Sequence, residues 1–181
     1  MAARAAPLYA ITGGPCAGKT SLVEGIAAAG YAVVPEAGRV VIREQQDTDG
    51  RALPSVDQLA FARAMLSRDL AAYDRHRSAA APVFFDRGIP DVAGYLALEG
   101  LPVPDDVRHA MRTRPYARVF ICPPWPEIYV TDAERKQTPE TAARTYEAMA
   151  ATYTVLGYAL VEVPRASLAD RARFVLSAVG L

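Results

Sequence analysis

The sequence predicts an α/β fold of three layers, in which a five-stranded parallel sheet is covered by helices on both faces. Three observations carry this reading. Short apolar, β-branched runs alternate with longer stretches of helical period along the chain, the order that parallel strands joined by helical crossovers produce. The 181 residues are 51% hydrophobic, enough to bury a sizeable core without disulfides or a structural metal. A glycine-rich segment stands directly between the first apolar run and the first helical one, a junction where such folds bind ligands.

Leu8 to Thr12 is the first predicted strand. Leu22, Val23, Ile26 and Ala27 then recur on one face of a helix, Gly30 supplies its stop, and Ala32 to Val34 forms the second strand of a βαβ unit. Asp47 to Ser55 reads as an exposed connection. From Val56 to Ala80 a helical pattern runs through Leu59, Phe61, Ala64, Met65 and Leu70, and it breaks at Pro82, where the third strand, Val83 to Phe85, begins. Val119 to Cys122 is the fourth strand. Thr138 caps a further helix, with Pro139 at its first position and Glu140 complementing the helix dipole. Leu160 to Val163 is the fifth strand, and Ser167 with Asp170 three residues on opens the last helix. No repeat, low-complexity tract or linker divides the chain, so one domain over residues 1–181 is expected, with a lid segment around 126–144.

Charge and cysteine usage narrow the partners. Twenty Lys plus Arg against twenty Asp plus Glu give a formal net charge of zero, and no five like charges run together, which argues against a nucleic-acid or membrane-surface role. No apolar run approaches the 18 or so residues of a membrane span. Cys16 and Cys122 are far apart and in no metal-ligand spacing, so they read as free thiols of a reducing compartment. Since Leu8 to Thr12 is also too short for a signal-peptide core, the cytoplasm is expected. Oligomeric state has no signature in the sequence.

Gly13-Gly14-Pro15-Cys16-Ala17-Gly18-Lys19-Thr20 fits G-x-x-x-x-G-K-[ST], the P-loop pattern, in its required place between a strand and a helix. A polyphosphate needs several donors converging within hydrogen-bond reach, and glycine permits the turns and the close backbone approach. The loop amides and the helix N-terminus, through Ser21, offer partial positive charge to phosphate. Lys19 reaches the β and γ oxygens, and Thr20 offers its hydroxyl to Mg²⁺. ATP and Mg²⁺ are thus the expected ligands.

The third strand ends in Asp86, the form expected of the acid that organises the metal beside such a loop. Arg87 follows where ATP-driven motors place a glutamate that activates water. Transfer to an acceptor is thereby favoured over hydrolysis, and Arg87 is a candidate to hold a substrate or the transferring phosphate, with a structural ion pair as the alternative. Asp91 reads either as a pocket residue or as a helix-start acid. Glu36, just past the second strand, is expected at the carboxyl edge of the sheet next to the phosphate loop, where it can accept a proton from an attacking hydroxyl or orient the substrate. After the fourth strand, cations crowd the segment holding Arg135, with Arg144 one to two turns into the next helix. Such a segment reads as a lid over the transferring group or as a solvated helix face. His76 and His109 have no partners that make a triad.

Together, ITGGPCAGKTSL, VPEAGR, FFDRGIPD and DAERKQTPE resemble the bacterial AAA-like predicted ATPase/kinase family of P-loop proteins over nearly the whole chain. More distantly the chain is similar to ribosylnicotinamide kinases, deoxynucleoside kinases and chloramphenicol phosphotransferase. The resemblance implies a P-loop kinase fold, Glu36 as base, Asp86 and Arg87 as the pair for Mg²⁺ and phosphate, and Arg135 and Arg144 as lid arginines. The acid-glutamate pair of motors is missing, and with no Asn in the chain so is the Asn-Lys-x-Asp guanine reader, which favours ATP over GTP. The expected function is ATP-dependent transfer of the γ-phosphate to a hydroxyl of a small molecule. A nucleotide-binding switch without transfer, or a simple ATPase, is the rival reading.

Overall fold

In the structure, a computed structural model describing residues 6–128 and 138–181, the strands are β1 (Leu8–Gly13), β2 (Ala32–Val34), β3 (Val83–Asp86), β4 (Arg118–Cys122) and β5 (Leu160–Glu162). All pairings are parallel, and the order across the sheet is β2-β3-β1-β4-β5. The helices among the described residues are α1 (Lys19–Ala28), α2 (Ala37–Asp47), α3 (Gln58–His76), α4 (Ile89–Leu98), α5 (Asp105–Thr113), α6 (Pro139–Val155) and α7 (Leu168–Ser177). A 3₁₀ turn, Pro126–Ile128, follows β4. None of these helices is long and apolar enough to cross a membrane.

The strands read as unbroken apolar runs because both faces of the sheet are covered. Successive side chains alternate between the two cores. Tyr9, Ile11, Phe84 and Phe120 point to one side, where Leu22 and Ile26 of α1 and Val175 of α7 meet them. Leu8, Ala10, Phe85 and Val119 point to the other, against Tyr153 of α6 and Tyr73 of α3. A third apolar cluster joins α3, α4 and α5 through Leu66, Leu96 and Val107. Ala172 of α7 and Tyr153 of α6 therefore bury opposite faces of one sheet, which is the predicted three-layer arrangement.

The starts predicted at Thr138 and Ser167 are capped by those side chains, and Asp57 supplies a third cap. The Asp57 carboxylate accepts from the Ala60 amide at the start of α3, Thr138 Oγ1 from the Thr141 amide at the start of α6, and Ser167 Oγ from the Asp170 amide at the start of α7. Three helices add to the expected set. α2 fills the stretch after Glu36, and α4 and α5 lie between β3 and β4. One placement differs from expectation. Because β3 lies between β1 and β2, the strand leading to Glu36 is not a neighbour of the phosphate-loop strand.

Candidate active site

The loop between β1 and α1 is built by backbone that few residues tolerate. Gly13 has φ +131°, and a Cβ there would stand 2.4 Å from the Cys122 carbonyl oxygen on β4. Cys16 takes the left-handed region without being glycine, at φ 56°, a conformation that costs about 1–2 kcal/mol. Pro15, Cys16, Gly18 and Thr20 are partly exposed, Gly14, Ala17 and Lys19 are buried, and Ser21 faces solvent. The Lys19 ammonium folds back to donate to the Gly14 carbonyl. Burial pulls its pKa down to about 8, with the nearby Arg87 charge adding to the effect and Glu36 and Asp86 opposing it.

Asp86 closes β3 beside this lysine. Its residue is 5% exposed and its Oδ1 finds no hydrogen-bond partner. Burial, then the like charge of Glu36, raises its pKa to about 6 against the pull of Lys19, Arg87 and Arg39. A buried carboxylate oxygen without a donor is an available ligand for a hard cation. Among the described residues no cluster of three or more His, Cys, Asp or Glu could hold a metal. The Asp86 oxygen suits a Mg²⁺ held by one or two protein oxygens with phosphate and water completing its shell, so the residues present fit that ion.

Arg87 is the hub of the site. Its backbone adopts φ 70°, and its amide donates to the Ile11 carbonyl at 2.9 Å. That turn throws the guanidinium back across the ends of β1 and β3. Nε donates to Glu36 Oε1 at 2.9 Å, while Nη1 donates to Asp91 Oδ1 at 2.9 Å and to the Gly13 carbonyl at 3.2 Å. Burial works against its charge, yet Glu36, Asp91 and Asp86 overcome this and hold the proton more firmly than usual. Glu36 thus reaches the phosphate loop through Arg87, across the strand that separates them. Its Oε2 accepts from Arg39 Nε at 3.1 Å. Burial raises the Glu36 pKa, but Arg87, Lys19 and Arg39 outweigh it, so the carboxyl stays below its usual range and ionised.

Asp91 resolves as a helix-start acid. Oδ2 accepts from the Gly88 amide at 3.0 Å and from the Tyr153 hydroxyl at 2.7 Å, and Oδ1 from the Thr12 hydroxyl at 2.6 Å as well as from Arg87. Every lone pair faces a donor. Arg144 is exposed on α6, two residues past Ala142, whose backbone abuts Gly14. Arg135 and the central part of the expected lid lie outside the described residues.

Two buried charged residues escape a reading by motif. Asp69 on α3 is 6% exposed, and burial, followed by the negative charges of Asp91 and Glu36, pushes its carboxyl well above the usual range while Arg87 pulls the other way. Arg171 on α7 is 3% exposed beneath the phosphate loop. A local signal existed for both. Asp69 continues the buried series Ala62, Leu66, and Arg171 precedes Ala172 and Val175, so each puts a charge where a helix's apolar stripe belongs.

A family profile for the AAA domain matches residues 8–171. Compared by sequence, no curated protein matches the chain. Among solved structures it is similar to the NadR protein in complex with NR, with TM-score 0.71 and 18% identity over 97% of this chain and 50% of that one. The chain thus spans half the length of the NadR protein. It is also similar to thymidylate kinase from Ehrlichia chaffeensis, at TM-score 0.67 and 11% identity over 96% of this chain and 98% of that one. Shikimate kinase from Acinetobacter baumannii, in complex with shikimate, gives 0.62 and 13% over 97% and 94%. At these identities the likeness is one of fold, and the fold is that of P-loop kinases. Because the profile runs from the first strand into the last helix, the chain belongs to the AAA domain family.

Proposed function

We propose that this chain binds ATP with Mg²⁺ and transfers the γ-phosphoryl group to a hydroxyl of a small molecule. The observation that carries the reading is the convergence of a buried Lys19, a buried Asp86 oxygen without a donor, and the Glu36–Arg87 pair at the carboxyl ends of β1 and β3. The amides of the loop from Gly13 through Ser21, other than Pro15, which has no N–H, and the Lys19 ammonium hold the β and γ phosphates. Thr20 and Asp86 hold the Mg²⁺, which when bound neutralises charge developing on the phosphate oxygens. Glu36 is ionised at neutral pH and takes the proton of the acceptor hydroxyl. Since phosphoryl transfer passes through a loose transition state, orienting that hydroxyl matters more than base strength. Arg87 keeps the carboxylate turned toward the phosphate loop. Arg135 and Arg144 complete the charge cage from a lid around 126–144, within a single domain of residues 1–181. The fold neighbours named for thymidylate and shikimate support a small-molecule acceptor, while the zero net charge and the two cysteines in no metal-ligand or disulfide spacing support a cytoplasmic chain whose partner is neither nucleic acid nor membrane.

Incubation with γ-labelled ATP, Mg²⁺ and a pooled metabolite library tests the proposal, and a labelled small product is the expected result. Glu36→Gln is expected to bind ATP as the parent does and to label nothing. Normal transfer by that variant removes the base assignment, and steady phosphate release without any acceptor replaces the kinase reading by an ATPase one.

A further inference from the structure

Arg171 reaches from the last helix to the phosphate loop, 153 residues away in sequence. Its Nη1 donates to the Gly18 carbonyl at 3.1 Å, and Nη2 donates to the Ala17 carbonyl at 2.9 Å and to Cys122 Sγ at 3.3 Å. Nε is buried without an acceptor. The guanidinium carbon lies 5.3 Å from the ring centre of Trp125, the only tryptophan in the chain. Among the described residues no carboxylate pairs with this charge. A guanidinium surrounded by carbonyl dipoles, a thiol and an indole face is unusual, since buried charges are ordinarily paired. An anion bound in the loop would add a counter-charge near it.

Peptide geometry gives the contact a direction. In a trans peptide the C=O and N–H point opposite ways. Holding the Ala17 and Gly18 oxygens on the α7 side therefore turns the amides of Gly18 and Lys19 away from α7 and into the loop. The Gly18 carbonyl also accepts from the Leu22 amide at 3.1 Å, so both of its lone pairs are used and the first turn of α1 is fixed with it. Arg171 fits against Gly18 so closely that a Cβ there would meet Nη1 at 2.5 Å. α7 itself is anchored, because Leu168 and Ala172 lie against Gly25 of α1 and Val175 sits in the core.

We infer that Arg171 is the positioning residue of the phosphate loop: clamped from α7 onto two loop carbonyls, it aims the Gly18 and Lys19 amides at a polyphosphate and links the loop to Trp125. The inference rests on the nucleotide reading of that loop and adds to it a residue outside the motif. Calorimetric titrations with Mg-ATP and with inorganic triphosphate compare the parent chain with Arg171→Met and Arg171→Lys. The parent is expected to bind both ligands and to show a change in Trp125 fluorescence on binding. Arg171→Met, which fills the site with an apolar chain, is expected to weaken both ligands by the same factor, about 10-fold or more, and to lose the fluorescence response. Arg171→Lys recovers part of the affinity, since an ammonium reaches one carbonyl but cannot fork across two. Parent-like affinity in Arg171→Met overturns the inference; if that variant does not fold, parent-like affinity and fluorescence response in Arg171→Lys overturn it. A loss confined to Mg-ATP overturns it as well, because Arg171 then acts on the base and not on the phosphates. A parent chain that binds neither ligand removes the nucleotide reading itself, an outcome distinct from these.

Discussion

At the phosphate loop the buried Lys19 ammonium donates to the Gly14 carbonyl. The ammonium is buried, which depresses its pKa to about 8, and under the proposed function phosphate oxygens in place of the carbonyl offset the cost of burying it. Lys19→Ala is therefore expected to lower Mg-ATP affinity or turnover by on the order of 10², read by calorimetry or by the labelling assay. Asp86 and Lys19 also bracket a pH window. The folded value for Asp86, about 6, lies above its ordinary 3.8, so the folded chain holds an extra proton between those values and its stability falls as pH rises through them. For Lys19 the folded value lies below 10.5, so the folded chain is short of a proton from about 8 upward and stability rises across that interval. In the proposed function, binding of Mg-ATP needs Asp86 ionised and Lys19 charged. Affinity for Mg-ATP is accordingly expected to climb as pH passes about 6 and to fall as it passes about 8, with the acid limb lost in Asp86→Asn. A profile that is flat from roughly pH 5 to 9 would mean that neither group takes part.

Between elements, the β3–α4 turn is the joint of the site. Asp91 at the start of α4 receives donors from β1, from the turn itself and from α6, as well as from Arg87. Removing it strands a buried Arg87 contact, the Thr12 and Tyr153 hydroxyls and the Gly88 amide at once. Asp91→Ala is expected to cost about 3 kcal/mol or more, seen in urea as a lower midpoint with an unchanged slope. α4 also explains why part of the fold is hard to read locally. Ile89, Val92, Ala93, Gly94 and Leu96 are all buried, so the helix is apolar around its circumference and shows no stripe of helical period. α7 is amphipathic by contrast, with Ala172 and Val175 turned inward, and Ser167 marks its start. α2 and α5 are amphipathic as well, with Ala37 and Val41 or Val107 and Ala110 turned inward, so their periodic pattern is present in the sequence.

At the scale of the whole molecule, ligand and fold are linked by mass action. Mg-ATP at 100 times its dissociation constant stabilises the chain by about 2.7 kcal/mol, and the melting temperature is expected to rise by about 5 °C or more in the parent and hardly at all in Lys19→Ala. The sequence alone determined the alternation of strands and helices, the loop with Lys19 and Thr20, and the acid-arginine pair at the end of β3, because each depends on neighbours close along the chain. The periodicity of burial, the caps and the P-loop spacing are all local patterns. What the tertiary structure decided is the company those residues keep. The strand order set β3 between Glu36 and the phosphate loop and made Arg87 the bridge. α3 brought Asp69 near Asp91, and α7 brought Arg171 beneath Gly18. Such contacts join positions tens to more than a hundred residues apart, and their energy comes from burial and charge at a shared point in space, for which a single sequence carries no spacing.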